Sequence, residues 1–211
     1  MKYVIIANGN LNYTEKIIGI IKNADFIIGA DGGARHLKAL GIIPDIMVGD
    51  FDSIQEQDRA FFENRHVQFM RFPEKKDHTD TELCVRWAVK NGATMITLLG
   101  VTGTRLDHTM ANIFLLKMLD DLKISARIID ANNEIYIVTD KLTIKGYPGD
   151  IVSIIPASET VQGITLKGFE YPLDNARLEM GTSRGISNVL ENSTASIQVG
   201  SGILIVTKSW D

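Results

Sequence analysis

The sequence predicts an α/β fold, a doubly wound, mostly parallel sheet with helices on both faces, followed by a small all-β sandwich. Two observations carry this. From residue 1 to about 130, short β-rich runs alternate with longer segments whose apolar residues recur at three- and four-residue spacings. Beyond Asn132 the helical spacing disappears, and short strand-like runs follow one another between Gly, Pro, Asn, Asp or Ser. The change falls near residues 131–140, so the expected domains are 1–135 and 136–211.

The expected strands of the first part are Tyr3–Ala7, Phe26–Ala30, Ile46–Val48, Val67–Phe72, Met95–Leu99 and Ala126–Ile129. Each is short, apolar and bounded by turn-forming residues. Between them, Glu15–Lys22, Ala34–Leu40, Ile54–Arg65, Thr81–Asn91 and His108–Leu119 have the spacing of amphipathic helices. Cys84 shares one helical face with Leu83, Trp87 and Ala88, which is a packing position. In the second part the strands are Glu134–Val138, Leu142–Ile144, Ile151–Pro156, Gly163–Lys167, Ala176–Met180, Ala195–Val199 and Ile203–Thr207.

Composition narrows the partners. Of 211 residues, 45% are hydrophobic and 23% charged, the profile of a folded protein. The net charge is −4 and no Lys/Arg-rich run occurs, which argues against nucleic acid or a membrane surface as partner. One cysteine permits neither an intramolecular disulfide nor a Cys-rich zinc site. The chain starts on a strand rather than a signal peptide, and no apolar run reaches membrane-spanning length, so a cytoplasmic location is expected.

In open α/β sheets the chemistry gathers beyond the carboxyl ends of the strands. The residues there are Asn8-Gly9-Asn10, Asp31-Gly32-Gly33 with Arg35, Gly49-Asp50-Phe51-Asp52-Ser53, Pro73 to Asp80, and Gly100 to His108. Glycine, aspartate and a few bases suit a phosphate chain held through amides, a metal and arginine. Asp50 and Asp52 are central. In an extended segment residues i and i+2 share a side, so the two carboxylates converge, and like charges at close range call for a cation or a shared proton. A hard divalent ion meets that need. The plainer alternative makes them turn residues, with Ser53 and Glu56 as a capping box for the next helix.

Other motifs have similar plain alternatives. Thr79 and Glu82 have capping-box spacing, Asp107 is placed to cap the following helix, and Arg105 to form a surface ion pair. No G-x-x-x-x-G-K-[ST] occurs, and Gly29 to Gly33 does not match G-x-G-x-x-G, which disfavours a P-loop kinase and a standard dinucleotide enzyme. Gly181-Thr182-Ser183-Arg184-Gly185 matches G-x-S-x-G, but it lies in the β-rich half, and the last histidine is His108, so it is no nucleophile elbow.

Taken together, five segments resemble the thiamine pyrophosphokinase family. They are Asp31-Gly32-Gly33; Pro44-Asp45 followed by Gly49-Asp50-Phe51-Asp52-Ser53; Asp77-His78-Thr79-Asp80; Gly103-x-Arg105-x-Asp107-His108; and Gly185-Ile186-Ser187-Asn188. The resemblance spans nearly the whole chain, although the stretch from Gly168 to Arg177 is not placed by it. It implies transfer of the pyrophosphoryl group of ATP to the hydroxyl of thiamine by a homodimer, with the sites at the subunit interface. Asp31, Asp50, Asp52 and Asp80 would then be catalytic. Asp50, Asp52 and Asp80 would hold Mg²⁺, with Asp31 a further ligand or an orienting carboxylate. Asp77, Thr79, Arg105 and Asp107 would bind ATP, and Ser187 and Asn188 would bind thiamine. Two alternatives compete: another Mg²⁺-dependent phosphoryl or nucleotidyl transferase, and a non-enzymatic cofactor-binding protein.

Overall fold

A computed structural model describes residues 1–73 and 77–210. Contacts divide the chain into two compact units, Met1–Ala131 and Asn132–Asp211. Glu74, Lys75 and Lys76, part of the expected loop after the fourth strand, lie outside the described residues.

The first unit alternates strand and helix: β1 Lys2–Ile6, α1 Glu15–Lys22, β2 Phe26–Ala30, a 3₁₀ turn at Asp31–Gly33, α2 Ala34–Ala39, β3 Ile46–Gly49, α3 Glu56–Glu63, β4 Gln68–Arg71, α4 Asp80–Lys90, β5 Met95–Leu99, α5 Leu106–Asp121 and β6 Ser125–Ile129. All six strands are parallel, in the order β6-β5-β1-β2-β3-β4. The order reverses direction between β1 and β5. With right-handed crossovers, that reversal sends the helices before it and after it to opposite faces. Accordingly α2 packs with α3, whereas α4 crosses β1, β2 and β3 and packs with α5. Ile5, Ile6, Ile28, Leu98 and Leu99 are fully buried, as a sheet covered on both faces requires.

Register brings the strand ends level. Ile6 pairs with both Gly29 and Leu99, Ala30 with Val48, and Gly49 with Arg71. The residue after each strand therefore emerges at one edge. Tyr3 stacks on Phe26 at 5.1 Å, and Phe26 meets Trp87 at 5.3 Å, tying β1 and β2 to α4 away from that edge. Cys84 is buried in the same helix, as its face position implied.

Two caps that the plainer alternatives offered are not made. Helix α3 starts at Glu56 with Gln55 as its N-cap and no side-chain cap, which leaves Ser53 two residues before the cap position, where its hydroxyl donates to the Asp31 carboxylate. Helix α5 is entered from Arg105, so Asp107 lies inside the first turn, near the positive end of the helix dipole, rather than at the cap. Thr79 does cap α4, accepting from the Glu82 N–H at 3.2 Å.

The second unit is all β: β7 Asn133–Val138, β8 Lys141–Lys145, β9 Ile151–Pro156, β10 Thr160–Lys167, β11 Leu173–Glu179, β12 Asn188–Val189, β13 Thr194–Gln198 and β14 Leu204–Ser209. Antiparallel pairing joins β12-β9-β14-β7 on one side and β11-β10-β13-β8 on the other. Val152, Ile154, Leu204 and Val206 from the first set and Val161, Ile164, Leu166 and Ile197 from the second form one apolar core. Strand β12 was not anticipated, since two residues carry no readable alternation.

Candidate active site

In sheets of this kind ligands gather beyond the carboxyl ends of the strands, near the point where the strand order reverses. A cavity of about 650 Å³ opens there. Asn8 and Gly9 from the β1 end, Asp31 and Arg35 from the β2 end, and Asp52 from the β3 end line it, with Asp80 and Thr79 from the start of α4. The β5 end adds Thr102 and Arg105. Thr102 is fixed by donating its hydroxyl to Asp130 at 3.0 Å.

Asp31, Asp50 and Asp52 each offer a carboxylate oxygen, and these lie within 4.8 Å of one another. Asp31 and Asp50 are each only 7% exposed, whereas Asp52 is open to solvent. The convergence of Asp50 and Asp52 does not come from strand alternation, contrary to expectation. Phe51 is left-handed, with φ 65°, and the Asp52 N–H donates to Asp50 Oδ1 at 3.2 Å. The segment is a turn closed by its own carboxylate. Burial of Phe51 against Phe69, edge-on at 5.1 Å, anchors that backbone form. Asp31 is also left-handed, with φ 43°. Gly49 makes the approach possible: a Cβ there would lie 3.0 Å from the Asp31 Cβ and 3.3 Å from Asp80 Oδ1.

Crowding shows in the titration of these groups. Burial pushes the Asp31 carboxyl above its ordinary range, partly countered by the Ser53 hydroxyl, with Asp80 and Asp50 adding to the rise. The negative charge of Asp50, followed by burial and the charges of Asp31 and Asp80, raises Asp52. Asp31 Oδ1 is buried and has no hydrogen-bond partner among the described residues. An unpartnered buried oxygen amid an all-oxygen donor set fits a hard divalent cation.

Arg105 and Asp107 form a two-point pair, Nη2 to Oδ2 at 2.6 Å and Nε to Oδ1 at 3.3 Å. The Arg105 guanidinium holds the Asp107 carboxyl down at about 2. The pair is exposed, so it adds little to the stability of the fold, while its two contacts fix the plane of the guanidinium. Asp77 is exposed and takes no part in the cavity wall.

In the second unit, Asn188 is buried and its amide is committed to the Tyr171 backbone, accepting from N–H at 3.0 Å and donating to C=O at 2.8 Å. With Tyr171, Leu166 and Ile186 it borders a cavity of about 450 Å³. Ser187 is exposed and left-handed, with φ 57°, and its N–H donates to Ser153 Oγ at 3.0 Å. The link from Asn188 to Tyr171 bears on the stretch from Gly168 to Arg177, which the resemblance does not place.

A raised folded-state pKa penalises the ionised carboxylate: the penalty is absent below the unfolded value and complete above the folded one. Metal-free Asp31→Asn is therefore expected to melt above the native protein at pH 7 to 8. The gap should narrow as pH falls through the raised pKa toward the unfolded one, and added divalent cation should raise the native Tm more than the variant's. Thermal scans across pH, with and without cation, check this; a lower Tm for the metal-free variant at pH 8 contradicts it.

A model of the thiamin pyrophosphokinase catalytic domain matches residues 18–128, and one of the thiamin pyrophosphokinase vitamin B1 binding domain matches residues 132–204. A thiamine pyrophosphokinase of Bacillus subtilis (strain 168) is 36% identical over 213 residues, which cover 98% of each chain. A crystal structure of thiamine pyrophosphokinase from Bacillus subtilis superposes with a TM-score of 0.91 at 35% identity, covering 100% of both chains. That of thiamin pyrophosphokinase from Geobacillus thermodenitrificans gives 0.87 at 32% identity, covering 100% of this chain and 98% of the other. With both halves matched in order and the likeness running the length of the chain, this protein belongs to the thiamine pyrophosphokinase family.

Proposed function

We propose that this chain transfers the pyrophosphoryl group of ATP to the hydroxyl of thiamine, giving thiamine diphosphate and AMP, as a cytoplasmic homodimer using Mg²⁺. The observation that carries the reading is the group of Asp31, Asp50 and Asp52 beyond the carboxyl ends of β2 and β3, with Asp31 and Asp52 lining the same cavity as an arginine held by its own carboxylate. Family membership disfavours both another phosphoryl or nucleotidyl transferase and a non-enzymatic binding protein. No helix among the described residues is long and apolar enough to cross a membrane.

The reaction forms a bond from the thiamine oxygen to the β-phosphorus and breaks the bond from that phosphorus to the oxygen of the departing AMP. The chain must bring an alcohol to a polyanion and keep it in line. Asp50, Asp52 and Asp80 would hold Mg²⁺, with Asp31 supplying its unpartnered oxygen or orienting the others. When bound, the ion neutralises the triphosphate. Arg105, oriented by Asp107, pairs with phosphate oxygens. Thr79 and Asp77 stand near the start of α4, where the helix dipole favours an anion. The hydroxyl proton passes late to one of the site's carboxylates. The positive thiazolium of thiamine suits this acidic surrounding. Ser187 and Asn188 belong to the thiamine side, across the subunit interface from the partner's catalytic domain. Asn188 acts there by holding Tyr171 in place.

Phosphorus NMR of ATP, Mg²⁺ and thiamine with the purified protein should show AMP and thiamine diphosphate growing together; ADP or free pyrophosphate as co-product refutes the reading. Arg105→Ala should lower kcat/KM by about 10²- to 10³-fold, as loss of a donor to developing charge does. An unchanged value removes Arg105 from the site. Ser187→Ala combined with Asn188→Ala should raise the thiamine KM about tenfold or more with the ATP KM little changed. An unmoved thiamine KM refutes that assignment.

A further inference from the structure

One buried histidine outside the carboxylate group grips the loop that forms a wall of the nucleotide cavity. His36, on α2, is 4% exposed. Its Nε2 lies 2.9 Å from the Gly9 carbonyl and its Nδ1 2.9 Å from the Tyr13 hydroxyl. A carbonyl only accepts, so Nε2 carries the proton and donates to Gly9. Burial lowers the pKa of the ring, chiefly by desolvation, so it is neutral and Nδ1 accepts from the Tyr13 hydroxyl. The Tyr13 ring meets the imidazole edge-on at 5.8 Å, fixing its plane.

Gly9 and Tyr13 belong to the same connection, between β1 and α1. His36 therefore bridges two points of one loop and closes it. Beside it, Arg35 donates through Nη2 to the Asn8 carbonyl at 2.8 Å and to the Gly9 carbonyl at 3.1 Å. On its other side the loop is bonded to the β5 end, Gly9 N–H to Gly100 O at 2.5 Å and Asn10 N–H to Thr102 O at 2.7 Å. No side chain fits at Gly9: a Cβ would sit 2.3 Å from the Thr102 carbonyl. The lone pairs of the Asn8 and Gly9 carbonyls, which would repel an anion, are engaged by the Arg35 guanidinium and, at Gly9, by the imidazole N–H as well.

We propose that His36, held by Tyr13, is a positioning residue for the anionic donor: it closes the β1–α1 loop and, with Arg35, engages the Asn8 and Gly9 carbonyls so that this side of the cavity accepts a polyphosphate. This rests on the reading of the cavity as the ATP site. His36 does not touch the reacting atoms; it acts through the loop and through the Arg35 guanidinium that shares the Gly9 carbonyl.

The test compares His36→Phe, His36→Gln and Tyr13→Phe in the full-length enzyme. A glutamine amide can stand in for Nε2–H, whereas phenylalanine keeps the bulk and loses the donor. His36→Phe should raise the ATP KM about tenfold with the thiamine KM unchanged, His36→Gln should restore most of that loss, and Tyr13→Phe should show a smaller rise. Calorimetric binding of the Mg²⁺ complex of ATP, without acceptor, should weaken in the same order, so a failure of the thiamine assignment leaves this dependence readable. Equal ATP binding by wild type and His36→Phe overturns the proposal. So does a His36→Gln protein no better than His36→Phe, or a loss shared equally by ATP and thiamine. Where His36→Phe does not fold, Tyr13→Phe carries the test, and unchanged ATP binding in it overturns the proposal.

Discussion

Like charge held at short range is the constraint on which this site depends. Three carboxylates with oxygens inside 4.8 Å repel one another, and two of them are nearly buried, where water cannot screen them. Such a group persists only where surrounding structure over-determines it. Here the holding is done by a parallel sheet with level strand ends, by the buried Phe51, and by the Ser53 hydroxyl on Asp31. The left-handed backbone at Asp31 and Phe51 stores strain at the same place. The charge that makes these carboxylates repel one another is what attracts a divalent cation.

The frame and the chemistry have separate supports. Apolar packing of Tyr3, Phe26 and Trp87 ties β1 and β2 to α4, and the strand ends then present their loops together. Polar contacts finish those loops: His36 and Arg35 on the β1 loop, Asp130 on Thr102, Asp107 on Arg105. The β1 loop, Thr102 and Arg105 thus each have a second group that fixes their place. The β unit follows the same logic, since Asn188 spends its amide on the Tyr171 backbone at the edge of a cavity.

Periodicity made most of the fold legible. Phe26–Ala30, Met95–Leu99 and Glu15–Lys22 have the bounds their spacing implies. Strand β12 was not legible, being two residues held by pairing to β9. At the site, the aspartates were legible from their placement after successive strands, while their partners were not. Ser53 looks like a helix cap because capping is a local signal. Its bond to Asp31, 22 residues away, depends on β2 and β3 being neighbours. Asp50 and Asp52 do converge, but through a left-handed Phe51 that no spacing rule reveals in a residue other than glycine. His36 left no signal either, since its partners are backbone and an aromatic hydroxyl in another loop.

The most direct measurement is a Mn²⁺ titration followed by the electron paramagnetic resonance of the free ion, with Mn²⁺ standing in for Mg²⁺. Native protein should remove free-ion signal at a saturable site that Mg²⁺ displaces. Asp50→Asn and Asp52→Asn, each still folded by circular dichroism, should weaken it by about tenfold or more, the scale of losing a liganding charge. Undiminished Mn²⁺ binding in both variants would show that the carboxylates do not meet around a shared cation, and would contradict the account.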